Sequence, residues 1–212
     1  MKRICFVGAS VMEGMGDSEK LGLPGRLALL ESKRGRDFIH YNLGVRGQTI
    51  REIAKRAVEE CLARLGNSTD IGIVFASGSN DFATLDGNLP RTPPHRAFKQ
   101  FRELALRLRE VAPVLALGPT PVEETKMPVL SPLTNMMFYF NNQTLATGSE
   151  GYQHVCVEEK IPYIDLFSLL QNSPEYLAGL NENDGLHSNA KGYQAMAKVL
   201  SVSSEWNEFW GT

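Results

Sequence analysis

Histidine occurs only four times in the 212 residues, and cysteine only three times. Cys5, Cys61 and Cys156 lie far apart, form no C-x-x-C, and join no histidine at metal-ligand spacing, so no metal site is expected. An odd, scattered set of this kind reads as reduced, buried thiols in a cytoplasmic protein. Charge of either sign is not in excess. Twenty-two basic residues face 24 acidic ones, for a net charge of -2. With no long Lys/Arg run, neither nucleic acid nor an anionic membrane surface is an expected partner. Long apolar runs are missing too. None approaches the ~18 residues of a membrane span. The basic start "MKRICFVGAS" breaks its apolar run at Gly8, too early for the core of a signal peptide.

What is present is ordinary for a folded soluble protein, with 42% hydrophobic and 22% charged residues. The length predicts a single domain over residues 1–212. Five short apolar runs recur, at Arg3–Val7, Phe38–Leu43, Ile71–Ala76, Val114–Leu117 and Pro162–Leu166. Each is nearly continuous rather than alternating, as strands covered on both faces are. Between them lie helical patterns. Thr49 and Glu52 make a capping box, and Ile50, Ile53, Ala54, Ala57, Val58, Cys61, Leu62 and Leu65 follow on one face before Gly66. Further helices are predicted over His95–Val111, over Asn135–Glu159 with weak points at Gly148 and Gly151, and near Asn189–Leu200. Strands alternating with helices give right-handed βαβ units and a three-layer α/β/α sandwich around a five-stranded parallel sheet. The proline-rich piece from Pro119 to Pro132 is a loop within that arrangement.

In such a sheet, ligands bind at the carboxyl ends of the strands. The loops there read "GAS" after the first strand, "NLGVRGQT" after the second and "SGSND" after the third; the fourth loop starts at Thr120. The first admits two readings, a phosphate cradle or an exposed nucleophilic serine. A dinucleotide fingerprint needs two more glycines and an acid closing the second strand. Residues 8–13, Gly-Ala-Ser-Val-Met-Glu, lack those glycines, and the second strand ends in Tyr41-Asn42. No G-x-x-x-x-G-K-[ST] occurs. A serine nucleophile needs instead a base, a group that orients the base, and donors for an oxyanion. His40, His95 and His154 fall within elements and read as surface or satisfied side chains. His187 lies in the turn-rich "NDGLHSNAKGY", three residues after Asp184, so a turn can set the carboxylate on Nδ1 and leave Nε2 facing a hydroxyl.

Taken in order, "FVGASVMEG", "NLGVRGQT", "SGSND" and "DGLHSNAKGY" resemble the four blocks of the SGNH (GDSL-type) hydrolases, and they span almost the whole chain. The resemblance implies a flavodoxin-like sheet with strand order 2-1-3-4-5. It implies Ser10 as nucleophile, with His187 and Asp184 completing a triad. It implies an oxyanion hole from the backbone N–H groups of Ser10 and Gly47 and the side-chain amide of Asn80. The partner implied is a small-molecule ester, and no cofactor or metal is called for, because every reacting group belongs to the protein. Two departures from the family pattern stand out. Ala9 replaces the acidic neighbour of the serine, and Ser188, a candidate helix N-cap, replaces a proline after the histidine. Both bear on the substrate more than on the chemistry.

Plain structural readings exist for the same residues. Ser10 can cap the first helix, Gly47 can be a turn glycine, and Asn80 and Asp81 can start a helix. Asp81 is read as structural. Asp165, closing the fifth strand, is a rival acid ranked below Asp184. The apolar residues between Glu123 and Gln143, among them Met127, Met136, Met137, Phe138, Tyr139 and Phe140, either pack a helix on the sheet or line a pocket under a lid. Trp206, Phe209 and Trp210 suit a terminal helix docked on the body. A nucleotide or small-molecule binding module on the same scaffold remains the alternative to a hydrolase, and among hydrolases a thioesterase, a lysophospholipase or a carbohydrate deacetylase would use the same triad. The separation between the Ser10 hydroxyl and His187 Nε2 discriminates between them.

Overall fold

The first strand lies inside the sheet, flanked on both sides, and its alternating side chains contribute to both halves of the core. The structure is a computed structural model describing residues 1–76, 78–85, 89–131 and 134–211. Ser77 of the "SGSND" block and Pro132 of the proline-rich piece lie outside the described residues. In chain order the elements are β1 (Lys2–Gly8), α1 (Ser10–Glu13), α2 (Gly22–Ser32), β2 (Phe38–Gly44), α3 (Ile50–Ile53), α4 (Ala57–Leu65) and β3 (Ile71–Ala76). Then come α5 (Ser79–Phe82), α6 (Pro94–Arg109), β4 (Val114–Leu117), β5 (Val129–Ser131), β6 (Met136–Phe138), α7 (Asn142–Glu159) and β7 (Tyr163–Ile164). The chain continues through α8 (Leu166–Leu170), α9 (Pro174–Glu182), α10 (Ala190–Val202) and α11 (Ser204–Gly211).

Five strands form a parallel sheet in the order β2-β1-β3-β4-β7. This is the expected 2-1-3-4-5 arrangement. Cys5, Val7, Ile73, Phe75 and Ala116 pack under α3, α4, α6 and α7, while Ile4, Phe6, Val74, Leu115 and Leu117 pack under α2, α9, α10 and α11. Burial on both faces is why these strands carry unbroken apolar runs. The three cysteines are free and buried. The C-terminal aromatics dock as their spacing predicts. Trp206 and Phe209 are fully buried, and the Phe209 ring fills the space that a Cβ at Gly72 would take. Burying one such aromatic contributes about 2–3 kcal/mol.

Several expectations need correction. The helix predicted from Thr49 to Leu65 is two, because Ala54–Arg56 form a turn in which Arg56 leaves helical geometry (φ -125°) and donates to the Gly8 carbonyl and to Gln48 Oε1. The turn resets the helical phase, which leaves Leu62 exposed rather than on the inner stripe. The capping box at Thr49 and Glu52 is present. The helix predicted from Asn135 starts only at Asn142, where the Asn141 side chain caps it, and it runs through Gly148 and Gly151 without a break. At Gly148 and Gly151 the rings of Phe82 and Phe98 lie where a Cβ would stand, so these glycines admit close packing. Residues 129–131 and 136–138 pair as an antiparallel hairpin instead. The fifth strand shrinks to Tyr163–Ile164, since Asp165 turns the chain by capping α8. Helices α2, α8 and α9 had no sequence prediction. Among the described residues no helix is long and apolar enough to cross a membrane.

Candidate active site

Ser10 begins α1 directly beyond the end of β1, so its position is fixed by a strand paired on both sides. Gly8 and Gly44 end the adjacent strands β1 and β2 in register. A Cβ on Gly44 would collide with the backbone nitrogen of Glu13, so that glycine lets α1 lie against β2. The Ser10 side chain is buried, and its Oγ lies 2.8 Å from Nε2 of His187, which is itself only 4% exposed. On the far side of the ring, Nδ1 lies 2.7 Å from Oδ2 of Asp184. A carboxylate only accepts, so Nδ1 carries the proton and Nε2 presents its lone pair to the Ser10 O–H.

A loop locked from several directions holds this arrangement. Asp184 Oδ1 accepts from the backbone N–H groups of Leu186 (2.9 Å) and His187 (2.7 Å). Asn183 Nδ2 donates to the His187 carbonyl, and Lys126 Nζ donates to the Asn183 carbonyl, both at 2.8 Å. Burial pushes the Asp184 carboxyl up. The ring hydrogen bond and charge of His187, with the two backbone donors, outweigh it and hold Asp184 below its ordinary value. Ser188 does not cap α10. Its hydroxyl donates to the Tyr176 carbonyl, and Asn189 caps the helix by accepting from Lys191 and Gly192.

Gly47 and Asn80 arrive from the neighbouring loops, and both line the cavity in front of Ser10. Gly47 has φ +71°, a conformation that favours glycine, and a Cβ there would project into open space. Asn80 donates one amide N–H to the Gln48 carbonyl at 3.0 Å, which ties the loop after β3 to the loop after β2. Asp81 is fully buried. It accepts from the Ile50 N–H and the Thr92 hydroxyl, and burial raises its carboxyl to about 6. Its contacts are those of a structural residue. Asp165, the rival acid, accepts from Ser149 and Ser168, whereas His187 Nδ1 meets Asp184. His40, His95 and His154 are exposed, and His154 meets Glu158 on its own helix.

A model of the GDSL-like lipase/acylhydrolase family matches residues 6–195. The chain belongs to that family. It is a hydrolase acting on ester bonds. Among solved structures, its fold is similar to a lipase/acylhydrolase from Enterococcus faecalis (TM-score 0.69, 21% identity, covering 100% of this chain and 96% of that one). It is similar to an aryl esterase from M. smegmatis (TM-score 0.71, 18% identity, 95% and 97% covered). It is similar also to Est24, a carbohydrate acetylesterase from Sinorhizobium meliloti (TM-score 0.70, 14% identity, 95% and 97% covered). No curated protein matches the chain.

Two arginines that the sequence did not single out brace the loops around Ser10. Arg46 grips the Glu13 carboxylate with Nε at 2.8 and 2.9 Å, joining the loop after β2 to α1. Arg91 Nη1 donates to the Gly47 carbonyl at 3.1 Å, and its guanidinium lies 5.1 Å from the Phe138 ring centre. No motif surrounds Arg91, so nothing local marks it. Of the apolar residues between Met127 and Phe140, Phe138 and Phe140 line the cavity, whereas Met136, Met137 and Tyr139 are exposed. The hairpin strand β6, rather than a helix packed on the sheet, carries Phe138.

Proposed function

We propose that the chain hydrolyses a carboxylic ester of small or medium acyl length through an acyl-enzyme on Ser10. The observation that carries this reading is the unbroken line from Ser10 Oγ through His187 to Asp184, with contacts of 2.8 and 2.7 Å. Ser10 Oγ attacks the ester carbonyl carbon while His187 Nε2 takes its proton. The carbonyl electrons move onto oxygen, which sits between the Ser10 and Gly47 N–H groups and the second N–H of the Asn80 amide. As the tetrahedral species collapses, the bond to the leaving oxygen breaks and His187 returns the proton to it. Water, deprotonated by His187, then attacks the acyl carbon and releases the acid and the Ser10 hydroxyl. Asp184 keeps Nδ1 protonated and balances the imidazolium.

The neutral amide of Asn80 donates without titrating, and each such donor is worth on the order of 10²–10³ in kcat. The apolar cavity wall at Val129, Phe138, Phe140 and Leu186 supports an uncharged ester. Solved neighbours described as an aryl esterase and a carbohydrate acetylesterase are in keeping with it. The test is turnover of short-chain nitrophenyl esters by the wild type and by Ser10→Ala. The variant is expected to fall by at least ~10⁴-fold. Wild-type turnover by Ser10→Ala would remove Ser10 from the mechanism.

A further inference from the structure

Two spaces meet at Ser10, and they differ in size and in lining. The outer one, about 210 Å³, opens under the β5–β6 hairpin and includes His187, Gly47, Phe138 and Phe140 in its wall. The inner one, about 40 Å³, lies over the carboxyl ends of β1, β3 and β4. Ser10 and Asn80 line both, but His187 and Gly47 line only the outer one. The inner wall is otherwise mostly apolar, with Val11, Leu23, Leu117, Leu166 and Met196.

The chemistry of acyl transfer sorts the two halves of an ester between these spaces. With the carbonyl oxygen held by the Ser10, Gly47 and Asn80 donors, the two substituents of the carbonyl carbon diverge. The leaving oxygen has to reach a proton on His187 Nε2, so the alcohol departs past His187. We infer that the alcohol occupies the outer cavity and the acyl chain the inner recess, which sets acetyl to butyryl as the acyl range. This assignment rests on the reading of Ser10 and His187 given above. The size limit follows from the recess itself. At about 40 Å³ against about 210 Å³ outside, the recess has room for only a short chain. Leu23 and Met196 are 1% exposed and Leu117 is fully buried, so a longer chain would have to displace packed core. The outer cavity is about five times larger (210 against 40 Å³), with two aromatic rings on its wall and Gln48, Glu52 and Arg91 at polar positions. It suits a bulky alcohol with a flat apolar body.

The experiment measures kcat/KM for two ester series with the full chain. One is nitrophenyl esters from acetyl to octanoyl. The other is acetates of ethanol, 2-phenylethanol and 2-naphthylethanol, whose leaving groups are matched in basicity. Wild type is expected to lose at least ~10-fold between butyryl and octanoyl while accepting naphthylethyl acetate at least as well as ethyl acetate. Met196→Ala should raise the acyl ceiling without reordering the alcohols. Phe138→Ala should weaken the preference for aromatic alcohols and leave the acyl ceiling in place. A wild-type optimum at octanoyl, or a ceiling that moves with Phe138→Ala and not with Met196→Ala, overturns the assignment. If Met196→Ala does not fold, the two wild-type series still decide it. Failure of the underlying reading looks different, because then neither series is turned over, or Ser10→Ala turns both over like wild type.

Discussion

Asn80 donates a side-chain N–H to the carbonyl of Gln48 at 3.0 Å. Two loops from different strands therefore share one hydrogen bond, and the second N–H of the same amide remains for the cavity that Asn80 lines. Removal of the side chain unties the loops and deletes a donor together. Asn80→Ala is expected to lower kcat by roughly 10²–10³ with a smaller change in KM. Asn80→Asp should be at least as impaired, because it places negative charge where negative charge develops. Steady-state kinetics on one nitrophenyl ester separates these effects, and a variant with full kcat would exclude Asn80 from oxyanion binding.

Asp184→Asn keeps the shape of the acid and removes its charge. An amide in that position can donate to Nδ1 and select the tautomer that points a proton at Ser10. The expected loss in kcat is about 10⁴-fold, with thermal stability near that of wild type at acid pH. Because Asp184 titrates below its ordinary value in the folded protein, it contributes stability above the unfolded carboxylate range, and loses it as pH falls through the folded value. The stability gap between wild type and Asp184→Asn should therefore be constant from pH 5 to 8 on that account, and close below about pH 4.

Asp17 and Arg26 form a buried pair, with Arg26 Nη2 2.7 Å from Oδ1 and Nε 3.0 Å from Oδ2. Asp17 also accepts from the N–H of Gly22 at 2.8 Å, and so fixes the loop between α1 and α2. Asp17→Ala leaves a guanidinium buried without its main partner and is expected to cost about 3 kcal/mol, read as a shift in the urea midpoint. Burial raises the Asp17 carboxyl, but Arg26 and the backbone donors pull it below its ordinary value, so this contribution too disappears on acidification. A cost below about 0.5 kcal/mol at neutral pH would mean that the pair is inert.

Asp81 behaves in the opposite sense. Its carboxyl is raised to about 6 by burial, so its folded form prefers the proton, and the stability it contributes is complete below the unfolded value near 4 and lost as pH rises through 6. Replacement by Asn removes that titration. Relative to wild type, Asp81→Asn is expected to gain stability as pH increases from 4 to 7, as thermal melts across that range would record. A pH-independent difference would contradict the raised value.

The sheet and the candidate site left different marks in the sequence. Strands such as Ile71–Ala76 are buried on both faces and show no period, so their shortness, their β-branched content and the turn residues around them mark them as strands. The site residues sit in loops where a serine, a glycine, an asparagine and an aspartate–histidine pair recur at successive strand ends. What escaped has physical causes. Helix α2, "GLPGRLALLES", contains two glycines and a proline, and its burial of Arg26 and Glu31 erases the polar face that a periodicity search relies on. The hairpin at Val129–Phe138 is three residues per strand, too short for alternation to register. Ser188 fits the N-cap pattern as well as Asn189 does. The choice between them was made by Tyr176, whose carbonyl draws the Ser188 hydroxyl away. Arg91 acts through a contact 44 positions away, which no local pattern encodes.

Ser10 stands at the end of the first strand, and its partner His187 is 177 positions further along. At the usual synthesis speed of roughly 5–20 residues per second, a nascent chain carries this serine for about 9–35 s before the imidazole exists. Through that interval the hydroxyl is an ordinary alcohol. On the proposed mechanism, acyl transfer therefore switches on only when the segment that carries His187 closes against the first strand, so a chain arrested before His187 is chemically silent towards the esters around it.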